Sequence, residues 1–344
     1  MAAPITATTG SPHSAIMGLG VYRPSRIVDN AEICQSIDSS DEWIQTRSGI
    51  KTRRFAGPEE SILEMSVAAG HRALASSGVA PERIGCVIVA TSTYLYQSPA
   101  VAPQIAHRLG IYGAAFDVSA GCAGFCHSLA VASDLVRGGS AEHVLVIGVE
   151  RMSECLDLTD RTTAFIFSDG AGAVVVGPSH TPGIGPVEWG SDGSQANVIC
   201  QAPSWDVYRD NPTGPRPTVK LDGMAVFRWA AFEMEKVARA ALDRAGVAPE
   251  QLDAFVPHQA NLRITDIIAK RLGLSPDAAV ARDIVDSGNT SAASVPLAMD
   301  TLLRSGEAPA GGTALLIAFG AGLSYAAQVV RLPAHGDCQD DVKP

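Results

Sequence analysis

Three residues at the ends of three segments carry the chemistry open to this chain. Cys122 stands in SAGCAGFCHSL, after the strand-like Ala115-FDVS and at the start of a helix of small residues. A helix N-terminus offers free N–H groups and partial positive charge, which lower a thiol's pKa and raise its thiolate fraction. Alanine and glycine on both sides leave room for a substrate carbonyl. The plain alternative for such a cysteine is a small buried hydrophobe, and that is the reading for Cys126, one turn further in. His258, in FVPHQANLRI, ends a buried strand after a proline and suits either a satisfied core histidine or a catalytic group. Asn289, in DSGNTSAASV, suits an N-cap or a pocket amide. Together they offer one thiolate and two neutral hydrogen-bond donors. That set suits a thioester enzyme, which must stabilise negative charge on a carbonyl oxygen without protonating carbon.

A repeat supplies the elements that position them. His71-RALASSGVAPERIGCVIVA resembles Arg239-AALDRAGVAPEQLDAFVPH, with Gly78 on Gly246. Each reads as an amphipathic helix ending at glycine, a turn with proline, then a buried strand. Gly121-CAGFCHSLAVASDLVRGGSAEHVLVIGVE matches Gly288-NTSAASVPLAMDTLLRSGEAPAGGTALLIAFG, with Cys122 on Asn289. Each of these reads as a small-residue turn, a long helix, a Gly-rich loop and a buried strand. The chain is therefore two copies of one mixed α/β unit. Duplication sets equivalent elements face to face, and sites grow at such junctions. Cys122 and Asn289 are expected to meet mid-molecule, with His258 beside them.

The 344 residues, 46% hydrophobic and 18% charged, suffice for a large core in two halves. A net charge of −10 excludes broad nucleic-acid binding, so an acidic partner needs a local basic patch. Seven cysteines at irregular spacing form no disulfide framework, and Cys122-x-x-x-Cys126 is a poor metal signal, so neither metal nor cofactor is expected. The absence of an apolar run of roughly 18 residues, or of a signal-like N-terminus, predicts a soluble cytoplasmic protein. Residues 1–14 and 334–344 read as disordered tails. Residues 15–180 form the half with the nucleophile, 181–222 a connecting and tunnel-lining segment, and 223–333 the half with His258 and Asn289. Gly18-LGVY lacks GxGxxG and predicts no dinucleotide site.

Several ungapped motifs carry a family resemblance. They are Asp41-EWIQTRSGI, AGCAGF around Cys122, Asp157-LTDR, Phe167-SDGAGA, Pro257-HQANLR, Gly288-NTSAAS and Phe319-GAG. From about Ile16 to Leu332 the chain resembles the β-ketoacyl-acyl-carrier-protein synthase III family of the thiolase fold. The resemblance implies a five-layered αβαβα architecture, a homodimer, and a triad of Cys122, His258 and Asn289. It implies that an acyl-CoA primer acylates Cys122, and that malonyl-acyl-carrier protein then loses CO2 and condenses with the acyl group. His258 and Asn289 would hold the enolate oxygen, and the backbone N–H groups of Cys122 and Ala321 the oxyanion. Ala321 stands where the family usually has glycine.

The resemblance further implies that Trp43 and Arg161 sandwich the CoA adenine and that Arg47 and Asn261 contact pantetheine and phosphate. Gly223 matches the tunnel-wall glycine, Met224 beside it departs from the commoner polar residue, and Phe319 is a further substrate contact. Arg263, Lys270 and Arg271 fall at i, i+7 and i+8, on one helix face, which with Arg228 would dock the carrier. Ser98 aligns on a loop that closes the partner's acyl pocket, where some short-chain enzymes carry phenylalanine. The priming synthases of aromatic polyketide pathways are nearest, through Ser204-WDVY, Glu150-RMSE and Phe319-GAGLSYA. Fatty-acid initiation stays open. A non-condensing acyltransferase would not need both donors, a thiolase needs a second late cysteine, and a dead partner subunit would be expected to lose Cys122.

Overall fold

The computed structural model describes residue 3 and residues 5–334. Strand β1 (His13–Tyr22) opens the first half. A surface cap follows, in which β2 (Arg26–Asp29) and β3 (Thr52–Phe55) form an antiparallel ribbon enclosing α1 (Asn30–Ile33) and α2 (Asp41–Ser48). The half continues through α3 (Ile62–Ser77), β4 (Ile84–Ala90), α4 (Ala102–Arg108), β5 (Ala114–Val118), α5 (Gly124–Gly138), β6 (His143–Arg151) and β7 (Asp169–Ser179). The second half begins with β8 (Glu188–Ser191) and a ribbon of β9 (Ile199–Ala202) and β10 (Thr218–Leu221) enclosing α6 (Trp205–Asp210). It runs on through α7 (Gly223–Ala245), β11 (Ala254–Pro257), α8 (Leu262–Leu272), β12 (Ala279–Val280), α9 (Ile284–Ser287), α10 (Ser294–Ser305), β13 (Thr313–Gly320) and β14 (Ser324–Arg331).

The two halves repeat one topology. The first sheet has the order β5-β4-β6-β7-β1 and the second β12-β11-β13-β14-β8. In each, three parallel strands are followed by two that alternate in direction. Helices α3 and α4 cover the outer face of the first sheet, α7 covers that of the second with α8 packed on it, and α5 and α10 lie between the sheets. This is the five-layered αβαβα thiolase fold. Burial on both faces explains why β6 and β13 are apolar almost throughout. Equivalent helices also end alike: α3 stops at Gly78 and α7 at Gly246, both in the left-handed conformation that glycine adopts without strain.

Three expectations need correction. The structural register of the two central turns differs from that of the sequence repeat. Gly121 and Ser291, with φ of 52° and 50°, open equivalent 3₁₀ turns, so Ala292 rather than Asn289 is the counterpart of Cys122. Helix α10 has 12 residues against 15 in α5, which restores the sequence register at the terminal glycines Gly139 and Gly306. The N-terminal tail is ordered before residue 15. Strand β1 starts at His13, while Thr8 Oγ1 and Ser11 N donate to the carbonyls of Gly138 (2.8 Å) and Val136 (3.3 Å). Segment 181–222 does more than connect, because β8 within it is the edge strand of the second sheet. Residues 335–344, Cys338 among them, lie outside the described residues. Among the described residues no helix is long and apolar enough to cross a membrane.

Close backbone approach joins the halves at their centre. A Cβ at Gly148 in β6 would lie 2.3 Å from the carbonyl oxygen of Ala292. Gly148→Ala is therefore expected to lose about 1–3 kcal/mol of stability through overpacking, read as a lower urea midpoint at unchanged m-value. An unchanged midpoint would contradict the tight junction.

Candidate active site

Cys122 lies in the 3₁₀ turn Gly121–Ala123, between β5 and α5. Two glycines let the loop after β13 press against that turn. A Cβ at Gly320 would meet Cys122 N at 2.5 Å, and one at Gly121 would meet Ala321 N at 3.0 Å. The amides of Cys122 and Ala321 are thus brought to one place, as an oxyanion site requires. Among the described residues Ser291 is the only non-glycine with positive φ, so Ala321 replaces glycine without strain.

The thiol does not have the low pKa expected of a helix end. Burial pushes Cys122 up to about 12, opposed by its hydrogen bond with Ser291 and reinforced by the Glu150 charge. Packing at the junction of the two sheets leaves Cys122 half-buried, and that desolvation raises the thiol. Cys126 is raised equally, by burial alone, and fits the role of a packed hydrophobe.

His258 follows β11 and is fixed by its own N–H, which donates to Ile317 O at 2.7 Å. Its ring stands edge-on to Phe319, with centroids 5.4 Å apart. Nδ1 lies 2.7 Å from Ser294 Oγ, and the Gln259 N–H donates to the same oxygen at 3.4 Å. The Ser294 hydroxyl is placed to donate to Nδ1, and in that arrangement the ring proton sits on Nε2. Burial lowers the His258 pKa to about 3, so the ring is neutral and donates through Nε2–H. Of the two readings of Asn289, the structure gives the pocket amide, since the N-cap of the adjacent turn is Thr290. Asn289 Oδ1 accepts from Ser291 N at 2.8 Å, two residues on, just before the 3₁₀ turn Ser291–Ala293, and this leaves its NH₂ for the cleft that Asn289 lines. Backbone bonds to Ile166 O and Ser168 N, both 2.9 Å, hold the loop.

Cys122, His258 and Asn289 line one cleft of about 580 Å³, together with Gly223, Asn261 and Phe319. A surface hollow of about 950 Å³ is lined by Ser40, Glu42, Trp43, Thr46, Arg47 and Arg263. Two contacts tie cleft to hollow. Asn261, the N-cap of α8, donates from Nδ2 to Arg47 O at 3.0 Å, and the Arg263 guanidinium covers the cleft-lining Phe227 ring at 4.8 Å. Arg161 lies over Trp43 at 4.9 Å, which leaves no space for a third ring between them, while Arg47 approaches the same indole at 6.0 Å. Arg228, Lys270 and Met224 are exposed. Arg271 differs from the free docking residue expected, for its guanidinium clamps α8 to α7 through Ala231 O (2.6 Å), Glu235 (3.7 Å) and the Phe232 ring (4.6 Å). Ser98 is exposed and lies apart from its own chain's cleft. Sequence reasoning overlooked Ser291 and Ser294, and took Glu150 only as part of a motif.

Comparison with known proteins bears on the same residues. Residues 116–193 match the family model "3-Oxoacyl-[acyl-carrier-protein (ACP)] synthase III", and 242–332 match that of its C-terminal part. A mycobacterial beta-ketoacyl-[acyl-carrier-protein] synthase III from Mycobacterium avium (strain 104) is 58% identical over 330 residues, covering 96% of this chain and 98% of the relative. This chain belongs to the β-ketoacyl-acyl-carrier-protein synthase III family. Beta-ketoacyl-[acyl-carrier-protein] synthase III 1 of Streptomyces coelicolor is 55% identical, covering 96% of this chain and 99% of its own. The crystal structure of the priming β-ketosynthase from the R1128 polyketide pathway superimposes with a TM-score of 0.94 at 50% identity, over 97% of this chain and all of that one.

A neutral, single-tautomer His258 has consequences for pH and for mutation. The rate of malonyl-thioester decarboxylation should show no histidine inflection between pH 5 and 8. Unfolded histidine takes a proton near 6.5 and the folded ring does not until about 3, so this residue's contribution to stability is present above about 6.5 and lost as pH falls. Ser294→Ala frees the tautomer and should lower kcat for decarboxylation ~10²-fold with KM nearly unchanged, since one oriented donor is lost. An inflection near 6.5, or full activity in Ser294→Ala, would contradict the assignment.

Proposed function

We propose that this transferase loads an acyl group from a CoA thioester onto Cys122 and condenses it with malonyl-acyl-carrier protein, releasing CO2 and a 3-ketoacyl-carrier protein. The observation that carries the reading is one cleft holding a nucleophile and two neutral donors. Cys122 sulfur attacks the acyl carbonyl while the amides of Cys122 and Ala321 receive the oxyanion, and CoA departs. The malonyl thioester oxygen then takes the place between His258 Nε2–H and the Asn289 NH₂. Negative charge forming there as CO2 leaves is stabilised by donors already in position, and the carbanion attacks acyl-Cys122. A non-condensing acyl transfer has no use for both donors. The chemistry needs no resident cofactor.

The hollow around Trp43, Arg47 and Arg161 suits the CoA handle, provided Arg161 swings off the indole to admit the adenine. Exposed Arg228, Arg263 and Lys270 offer the basic face for an acidic carrier. The six described cysteines are all free thiols, which supports a reducing, cytoplasmic compartment. A homodimer is supported by bare apolar surface at one edge of the first sheet. Among the described residues strand β5 has no partner on one side and, with its neighbours, exposes Phe116 (39%), Tyr112 (87%), Leu95 (60%) and Tyr96 (68%). The loop carrying Ser98 follows β4, the strand next to this edge, and shares the exposed Leu95 and Tyr96, which fits a role in the partner's acyl pocket.

Incubation with acyl-CoA should add one acyl mass per chain, on the peptide holding Cys122, and malonyl-carrier protein should then convert it to 3-ketoacyl product. Cys122→Ser should abolish both. Acyl mass on Cys126 or Cys155 would contradict the site. A small Ser98 predicts a roomy acyl pocket, in which each added methylene contributes about 0.8 kcal/mol, roughly fourfold. Primers of four or more carbons, or branched ones, should exceed acetyl-CoA in kcat/KM, and Ser98→Phe should reverse the order. Acetyl preference unmoved by Ser98→Phe would contradict the enlarged pocket and favour fatty-acid initiation over polyketide priming.

A further inference from the structure

One buried carboxylate beside the nucleophile has no part in the steps above. Glu150, near the end of β6, is fully enclosed, yet five donors converge on it. They are Thr91 Oγ1 (3.3 Å), Ser92 N (3.1 Å), Ser92 Oγ (2.9 Å), Thr93 Oγ1 (2.6 Å) and Ser291 Oγ (3.0 Å). Such a shell fits an ionised acceptor. The Ser291 turn packs on the Cys122 turn and brings the hydroxyl within reach of the thiol, so thiol, hydroxyl and carboxylate lie in one line of proton transfer. Ser291 is held there at a positive φ of 50°, a conformation that glycine adopts more readily, at the turn that touches Cys122.

We propose that Glu150, acting through the Ser291 hydroxyl, takes the Cys122 proton during acylation and holds it until condensation returns the thiol. The inference rests on the acyl-transfer reading above. The Cys122 proton passes to Ser291 Oγ as the Ser291 proton passes to Glu150 Oε1, leaving a thiolate, an intact hydroxyl and a neutral carboxylic acid. One negative charge is present before and after, so the dry site never has to hold two. The thiolate then forms the C–S bond, and CoA leaves as a thiolate that takes a proton from solvent. When the malonyl-derived carbanion displaces Cys122, the departing thiolate recovers the proton from Glu150 by the same route.

The surroundings favour this path. Burial raises the Glu150 pKa, which makes it a stronger base than a surface carboxylate. Its charge reaches Cys122 and Cys155, the latter also beside Glu154, Asp169 and Arg216, and the guanidinium of the adjacent Arg151 is turned towards Glu154 (3.2 Å) and Gly57 O (3.1 Å). His258, the other ionisable group of the cleft, has Nδ1 engaged by Ser294.

Proton counting in lightly buffered solution with an indicator dye tests the idea. Acylation by acyl-CoA near pH 7 should take up one proton per acyl group in the wild type, because the released CoA thiol is protonated while Glu150 keeps the Cys122 proton. Glu150→Gln should load its acyl group without uptake. Glu150→Gln and Ser291→Gly, the latter chosen to fit the positive φ, should slow single-turnover acylation ~10²–10⁴-fold, as loss of a general base does. Both should leave malonyl-thioester decarboxylation within a few-fold of wild type. Wild-type acylation without proton uptake, variants that acylate at the wild-type rate, or an equal fall in both half-reactions would overturn the relay alone. A wild type that accepts no acyl group would overturn the proposed function and the relay with it.

Discussion

The turns Gly121–Ala123 and Ser291–Ala293 meet between two sheets, one contributed by each half of the duplicated chain. Backbone approaches backbone there so closely that side chains are excluded at Gly148 and Gly320. The rest of the site follows from that contact. It sets the Cys122 amide against the loop after β13, and Ser291 against both the thiol and Glu150. It also fixes Asn289, whose Oδ1 is held by Ser291 N while the residue lines the cleft with Cys122. Separate either turn by the width of a methyl group and nucleophile and donors no longer share a cleft.

The same contact withdraws most of the site from solvent, leaving Cys122 half-buried, and that desolvation governs the electrostatics. Burial drives His258 towards its neutral form and raises the thiol of Cys122 and the carboxyl of Glu150. Neutral donors in such a place act strongly on charge that forms later, since they give up no hydration when it appears. A permanent cation would stabilise the malonyl carboxylate as well as the transition state. A neutral imidazole and an amide favour the enolate that follows decarboxylation.

Much of this was legible in the residues. Long glycine-terminated helices and apolar strands repeat along the chain, and so the fold and the meeting of its halves could be read. Cys122, His258 and Asn289 stood out because each ends an element. What the sequence concealed depends on three-dimensional enclosure. A thiol at a helix start reads as acidic, but partial burial at the junction of the two sheets raises Cys122 instead. The repeat paired Cys122 with Asn289, whereas a helix shorter by one turn makes Ala292 its counterpart. Ser294 and Ser291 are separated from their partners by 36 and 141 residues, and no local pattern announces either contact. Arg271 looked like free charge because its clamp on α7 is a tertiary contact.

The central claim is that one cleft performs two separable acts on thioester carbonyls, with His258 and Asn289 reserved for the second. Rapid-quench single turnovers of His258→Ala and Asn289→Ala, followed separately for acyl transfer to Cys122 and for decarboxylation of malonyl-carrier protein, test it most directly. The account predicts a ~10²–10³-fold loss of decarboxylation in each variant, the usual effect of removing one oriented donor, with acylation largely retained. Variants that acylate poorly yet decarboxylate normally would contradict it.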